Sequence, residues 1–140
     1  VSAPGQKIRR DIYSPTNAVD VLPTVAQLTG NPVPDWAEGA PLPGLGGVED
    51  FERSTFSVEA KRVSSFGPLS TATVSMYKGT HKLIHYTGYE AEDSFELYDL
   101  EADSEELEDI YPAQPSIAKK LKEELLDKLS DVNKPYLKKQ

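Results

Sequence analysis

From Ser54 onward, apolar and polar residues alternate with a period of two. Ser54–Glu59, Ala72–Tyr77, Lys82–Thr87 and Phe95–Leu97 are short runs rich in β-branched and aromatic residues, the composition that a pleated, half-buried surface selects. Lys78, Gly79 and Thr80 separate the second run from the third. They supply a tight turn, so Ala72–Tyr86 is predicted to be a hairpin. Beyond Pro115 the period lengthens. Ile117, Leu121, Leu125, Leu126, Leu129 and Val132 recur at helical spacing as one apolar stripe. Pro115 suits a first helical position, and Asn133 with Pro135 is expected to close the helix. Asp103-Ser104-Glu105-Glu106 reads as another helix start, with Asp103 as cap and Glu106 reaching back to it. That short turn would end before Pro112. The pattern as a whole predicts an α+β unit: a small antiparallel sheet of about four strands packed against a C-terminal helix.

The first third of the chain follows other rules. Residues 1–47 hold seven of the eleven prolines and six of the nine glycines, which forbids a long helix or a central strand. Ile8–Tyr13 is a candidate short strand. Asn17–Thr29 places Val19, Leu22, Val25, Ala26 and Leu28 at helical spacing, with Gly30 as a stop and Pro32 beyond. Pro23 lies inside, so either two turns with a kink or a restart at Pro23 is expected. Asn31–Gly47 is a loop, and Trp36 within it is expected to pack down as an anchor. The predicted division is residues 1–50, a helix and a Pro/Gly-rich loop, and residues 51–140, the sheet and C-terminal helix.

The 140 residues carry 15 Lys and Arg against 23 Asp and Glu, a net charge of −8. Such a surface repels phosphate backbones and anionic lipid, so neither nucleic acid nor a membrane is an expected partner. Residues 83–118 contain eleven acidic side chains and no Lys or Arg, whereas the tail from Lys119 holds seven Lys. The absence of Cys excludes disulfides, thiolate metal sites and cysteine nucleophiles. Val1 is not a natural start residue, so the chain reads as a fragment or a processed product.

Candidate chemistry is sparse. His81 and His85 are the two histidines. In a strand, an i, i+4 pair faces one side about 13 Å apart, too far to share an ion. They read as polar residues on a hairpin surface, or as contacts to a substrate on the rim of a larger pocket. Ser2-Ala3-Pro4 has the look of a nucleophile motif but lacks a base nearby in sequence. The acidic run Glu90–Asp109 lacks the Asp-x-Asp-x-Asp-Gly spacing of a calcium loop. No phosphate-cradling glycine loop is present. No catalytic residue and no metal ligand is therefore assigned.

Two stretches nevertheless resemble sulfatases. The first runs Asn17-Ala18-Val19-Asp20-Val21-Leu22-Pro23-Thr24, continuing to Gly30, and is similar to the family's Asp-x-x-Pro-Thr helix. It is followed, as in that family, by a Pro-rich loop containing Pro41-Leu42-Pro43-Gly44-Leu45. The second is Lys82-Leu83-Ile84, then Glu96-Leu97-Tyr98-Asp99-Leu100-Glu101-Ala102-Asp103-Ser104-Glu105-Glu106, which resembles the family's Tyr-Lys-Leu-Ile strand followed by Glu-Leu-Tyr-Asp-Leu and an Asp-Pro-x-Glu-x-x-Asn turn. Ser104 stands where the family usually has Pro, Asp109 where it has Asn, and Tyr77 and His81 where Arg and Tyr are common. Order and spacing agree over most of the chain.

The resemblance implies a C-terminal region of a sulfuric ester hydrolase of the alkaline phosphatase superfamily. Residues 1–50 would then belong with a missing α/β catalytic domain, the principal partner. The resemblance also implies that the parent uses Ca2+ and a formylglycine nucleophile, both supplied by upstream residues. Ser2-Ala3-Pro4-Gly5-Gln6 mimics the nucleophile motif but ends in Gln6 where Arg is required. A secreted or periplasmic parent acting on a sulfate ester is implied, with its signal region outside these residues. Exposed apolar surface on the first helix would promote self-association. The alternatives are a phosphonate or phosphodiester hydrolase of the same superfamily, and a non-catalytic acidic interaction module.

Overall fold

The computed structural model describes residues 5–60 and 67–137. The chain divides into two compact units, residues 1–55 and 56–140.

In the first unit a 3-10 turn at Ala18–Asp20 runs directly into helix α1, Val21–Leu28. Pro23 is the third residue of α1, where a missing N–H costs no bond within the helix. It does leave the Val19 carbonyl without its helical donor. The Gly39 backbone approaches that carbonyl so closely that a Cβ there would lie 2.2 Å from Val19 O. At the other end Gly30 takes φ +71, Asn31 N donates to Ala26 O at 2.9 Å and Gly30 N to Gln27 O at 3.2 Å. This is the paired bonding of a Schellman stop, with Gly at the left-handed position.

Two expectations fail in this unit. Ile8–Tyr13 forms no strand. A strand needs a neighbour for its backbone groups, and the described residues of the unit offer it none. Trp36 does not anchor the loop, being 75 % exposed. The loop is held by its backbone polar groups instead, through Asp20 and Thr24.

In the second unit strands β1 (Thr55–Ala60), β2 (Ala72–Lys78), β3 (His81–Thr87) and β4 (Ser94–Asp99) lie in that order across one sheet. β2 and β3 pair antiparallel, as do β3 and β4, with Met76 opposite Leu83 and Leu83 opposite Leu97. The hairpin loop is two residues long, Gly79-Thr80, with Gly79 at φ +58. Gly in the first central position matches the twist of the flanking strands. Helix α2, Pro115–Leu137, covers one sheet face. Val74, Met76, Leu83 and Leu97 pack there with Ala118, Leu121 and Leu125. Each such large side chain contributes roughly 1.5–3 kcal/mol on burial. The outer edge of β4 is closed by a short strap. Leu97 N donates to Asp109 Oδ1 at 2.9 Å, and Ile110 N donates to Leu97 O at 2.8 Å, which protects the edge from foreign strands.

Three boundaries differ from those expected. α2 continues through Pro135 to Leu137. With so little helix left, Pro135 forfeits a single bond to the turn before it. Asn133 does not cap. Its side chain accepts from Leu69 N at 2.8 Å and donates to Leu69 O at 3.3 Å, tying α2 to the segment before β2. Residues 103–106 form no helix. Asp103 does receive Leu107 N at 2.7 Å and Glu108 N at 2.8 Å. Glu106, however, sits at φ +57 and its carboxylate meets Lys82 Nζ at 2.5 Å. The side chain that a capping box requires is engaged by the sheet.

Candidate functional site

The Asp-x-x-Pro-Thr segment forms the most concentrated polar centre of the first unit. Asp20 is 0 % exposed. Arg53 grips it with two nitrogens, Nη1 to Oδ2 at 2.8 Å and Nη2 to Oδ1 at 2.6 Å. Asn17 N donates to Oδ2 at 2.7 Å and Ala40 N to Oδ1 at 3.0 Å. One carboxylate thus fixes the start of the helix, the Pro/Gly loop and the residue just ahead of β1. Burial opposes ionisation of Asp20, but the Arg53 hydrogen bonds, the two backbone N–H groups and the Arg53 charge outweigh it and hold its carboxyl below the usual range. The same bonds raise the Arg53 guanidinium further. Thr24 completes the arrangement: its hydroxyl donates to Asp20 O at 2.6 Å and accepts from Leu42 N at 2.7 Å. Asp20 and Thr24 are saturated by their own chain, so their chemistry is architectural.

His81 and His85 share β3 but have different surroundings. His81 is half-buried at the hairpin end, with Nδ1 3.3 Å from Thr80 Oγ1. His85 is 1 % exposed, which corrects the expectation of a surface residue. Its ring stacks parallel on Phe95 with centroids 4.4 Å apart, and its Nε2 lies 2.9 Å from Asp93 Oδ2. Lys122 Nζ sits 4.2 Å from the centre of the Phe95 ring, and Tyr111 stacks on the same ring at 5.8 Å. Nδ1 of His85 is buried without a hydrogen-bond partner. Burial opposes ionisation of Asp93, yet its bonds from His85, Thr87 and Gly88 keep its carboxyl below the ordinary value. The pair closes the loop between β3 and β4. The two histidines do not converge on a common point.

On the sheet face away from α2, Glu96 Oε2 accepts from Tyr86 at 2.8 Å and from Tyr98 at 3.1 Å. Burial and that carboxylate push both phenols up to about 12. This network is satisfied within itself. Ser2 lies outside the described residues. Among the described residues no three His, Asp or Glu side chains cluster to hold a metal ion, and no helix is long and apolar enough to cross a membrane. With no Cys in the chain and Gln6 in place of the motif's Arg, Ser2-Ala3-Pro4-Gly5-Gln6 does not fit a formylglycine precursor, and the described residues do not fit a Ca2+ cage.

Comparison with known proteins places this geometry. The family model for the C-terminal region of N-sulphoglucosamine sulphohydrolase matches residues 1–134. The chain belongs to that family. It is a sulfatase C-terminal region, and its neighbours among solved structures agree. One is BT4656, solved with its substrate D-glucosamine-2-N,6-O-disulfate; it is 27 % identical, with a TM-score of 0.54, over 86 % of this chain and 24 % of that one. The phosphonate monoester hydrolase of Agrobacterium radiobacter shares the fold at 21 % identity and a TM-score of 0.67, over 89 % and 26 % of the two chains. A Bacteroides thetaiotaomicron protein of glycosaminoglycan metabolism does so at 20 % and 0.53, over 79 % and 24 %. The chain therefore spans about a quarter of these structures. No curated protein matches it.

Within this sulfatase region, Asp20 and Thr24 were visible in the motif, but their partners were not. Arg53 lies 33 residues from Asp20 and carries no local signal. Asp93 was one acid among eleven, and only the fold shows which of them faces His85.

Proposed function

We propose that this sulfatase region is the C-terminal part of a sulfuric ester hydrolase acting on a sulfated sugar. In the parent it supplies the brace and part of the pocket rim, while the nucleophile and Ca2+ site belong to upstream polypeptide. The family match over residues 1–134 carries this reading. The 27 %-identical neighbour and its sulfated glucosamine substrate support the substrate class. The phosphonate hydrolase, at 21 % identity, speaks to the fold and not to the bond cleaved.

The partner is the parent's N-terminal catalytic domain. Val19 of the 3-10 turn and Leu22, Val25 and Leu28 of α1 are all about half exposed, and Val19, Leu22 and Val25 share an apolar groove with Trp36. Such a contiguous patch is an interaction surface in a chain this polar. His81 lies on the rim. His85 acts behind it, holding Asp93 and the β3–β4 loop in place. The resemblance assigns the bond-breaking chemistry of the family to a formylglycine and Ca2+, which this reading places upstream.

Sulfate release from N-sulfoglucosamine and glucosamine 6-sulfate tests the reading. The full-length polypeptide is expected to release sulfate, and the 140-residue chain none. Release by the 140-residue chain alone, or cleavage of phosphonate esters but no sulfate esters by the full-length protein, would overturn it.

A further inference from the structure

We infer that a cleft in the first unit is a recognition site for a sulfated sugar residue, separate from the bond-breaking centre. The inference rests on the sulfatase reading above and names a subsite for it. The cleft has a volume of ≈ 460 Å³ and lies between residues 6–16 and the Leu42–Leu45 turn. That is within the usual range for small-molecule pockets.

Its lining has the two chemistries such a ligand needs. One wall is basic. Lys7, Arg9 and Arg10 fall within four positions of a chain whose net charge is −8, and both arginines line the cleft. Asp11 takes two nitrogens of Arg9, with Nε and Nη2 each at 2.8 Å from Oδ1. Arg10 is held differently. Glu49, which does not line the cleft, engages its Nη2 at 2.8 Å. A guanidinium has five N–H donors in a rigid fork, so Glu49 orients Arg10 and leaves donors for a second anion. A planar fork of this kind matches the oxygens of a sulfate as it does those of a carboxylate or phosphate.

The facing wall is apolar and stiff. Leu42, Pro43 and Leu45 of the turn line it, with Pro43 and Leu45 buried, while Ile12 adds an apolar side chain on the Arg10 side. Leu42 N is held by Thr24 Oγ1 at 2.7 Å, and Leu42 O receives Leu45 N at 3.0 Å and Gly47 N at 3.1 Å. Such a wall suits the C–H face of a pyranose ring. Gly44 shapes the turn, its φ of +80 lying in the region that favours Gly, with Arg10 Cδ and Ile12 Cδ1 at ordinary contact distance, 3.6 Å, from where a Cβ would stand. Tyr13 and Thr16 complete the lining, residues whose hydroxyls can pair with sugar hydroxyls.

The test reads binding and not turnover, on the 140-residue chain, so it stands apart from the assay of the parent's activity. N-acetylglucosamine 6-sulfate, N-acetylglucosamine, glucuronate and inorganic sulfate are each titrated while amide resonances are followed. The sulfated sugar is expected to shift Ile12, Gly44 and Leu45 saturably, with the other three at least about tenfold weaker, the loss of one charge-assisted contact or of the ring. Arg10→Gln is expected to weaken the sulfated sugar about tenfold or more, Arg10→Lys to restore part of the loss, and Lys119→Gln to change nothing. Unmoved resonances in the cleft would overturn the inference, as would equal binding of sulfate alone or of glucuronate. So would an Arg10→Gln protein that keeps its dispersed spectrum and binds like the parent chain.

Discussion

The two units of this chain are built on opposite plans. Residues 56–140 are organised around an apolar centre: Met76, Leu83, Leu97 and Leu125 are all but inaccessible, and the polar network lies on the outer sheet face. Residues 1–55 are organised around a carboxylate. Asp20 is the most buried charge there, while Val19, Val21, Leu22, Val25, Leu28 and Trp36 face outward. In this unit Asp20 is buried with Pro23, Ala26 and Leu45, and the apolar face of the helix stays outside. The ion pair and the Thr24 bonds fix the loop and α1, and the apolar face is left for another surface. The difference separates a unit held by its own apolar core from one whose apolar helix face stays exposed.

The comparison breaks most sharply at Asp20. Asp20→Asn sets an amide NH2 against one guanidinium N–H and one backbone N–H that the buried carboxylate now accepts, two charge-assisted bonds, and should cost roughly 3–5 kcal/mol. Hydrogen exchange should then quicken at Ala40 and Leu42 and spare β3 and β4. Equal loss of protection in both units would contradict the separation. Leu97→Ala should cost roughly 2–5 kcal/mol by opening a cavity against α2, read by chemical denaturation, with Asp20's donors still protected. Leu22→Ala and Val25→Ala, by contrast, should fall within about 0.5 kcal/mol in this chain. In a longer polypeptide that carries the proposed upstream domain, their effect should grow.

Acid sharpens the comparison further. Asp20 and Asp93 are both held below their ordinary value. A carboxyl lowered on folding adds stability above its unfolded pKa, near 3.9, and loses it as pH falls through the folded value. Stability should therefore drop below about pH 4. Asp20→Asn should flatten that acid limb at the Ala40 amide, and Asp93→Asn should flatten it at Gly88. The smallest effect belongs to the outer face of the sheet. Tyr86 and Tyr98 are pushed up to about 12, so the folded state keeps protons that the unfolded state releases from pH 10 upward. Stability should fall in that window. Tyr86→Phe should cost about 1 kcal/mol and remove one late step from the ultraviolet titration of tyrosine.

Much of this fold was legible because it rests on local rules. The four strands, the Gly79 turn, the Gly30 stop and the body of α2 follow from period, β-branching and left-handed glycine. Two of the failures share one cause, a side chain drawn elsewhere by a distant partner. Glu106 leaves its helix start for Lys82, and Asn133 leaves its capping place for Leu69. Ile8–Tyr13 has strand composition but no neighbouring strand. Trp36 has the size of an anchor but nothing in its unit to sink into. His85 looked like a surface residue because alternation tells which face a strand residue takes, not how far the next layer extends over it.

The sequence by itself determined the element types, the class of fold and, through the Asp-x-x-Pro-Thr segment and its spacing, the family. Those depend on backbone preferences and on order along the chain. Tertiary structure alone decided that Asp20 is an internal clamp, that His85 answers to Asp93, and that Arg10 is aimed by Glu49 beside an apolar wall. Each depends on groups far apart in the chain meeting at hydrogen-bond distance, and no local periodicity encodes that meeting.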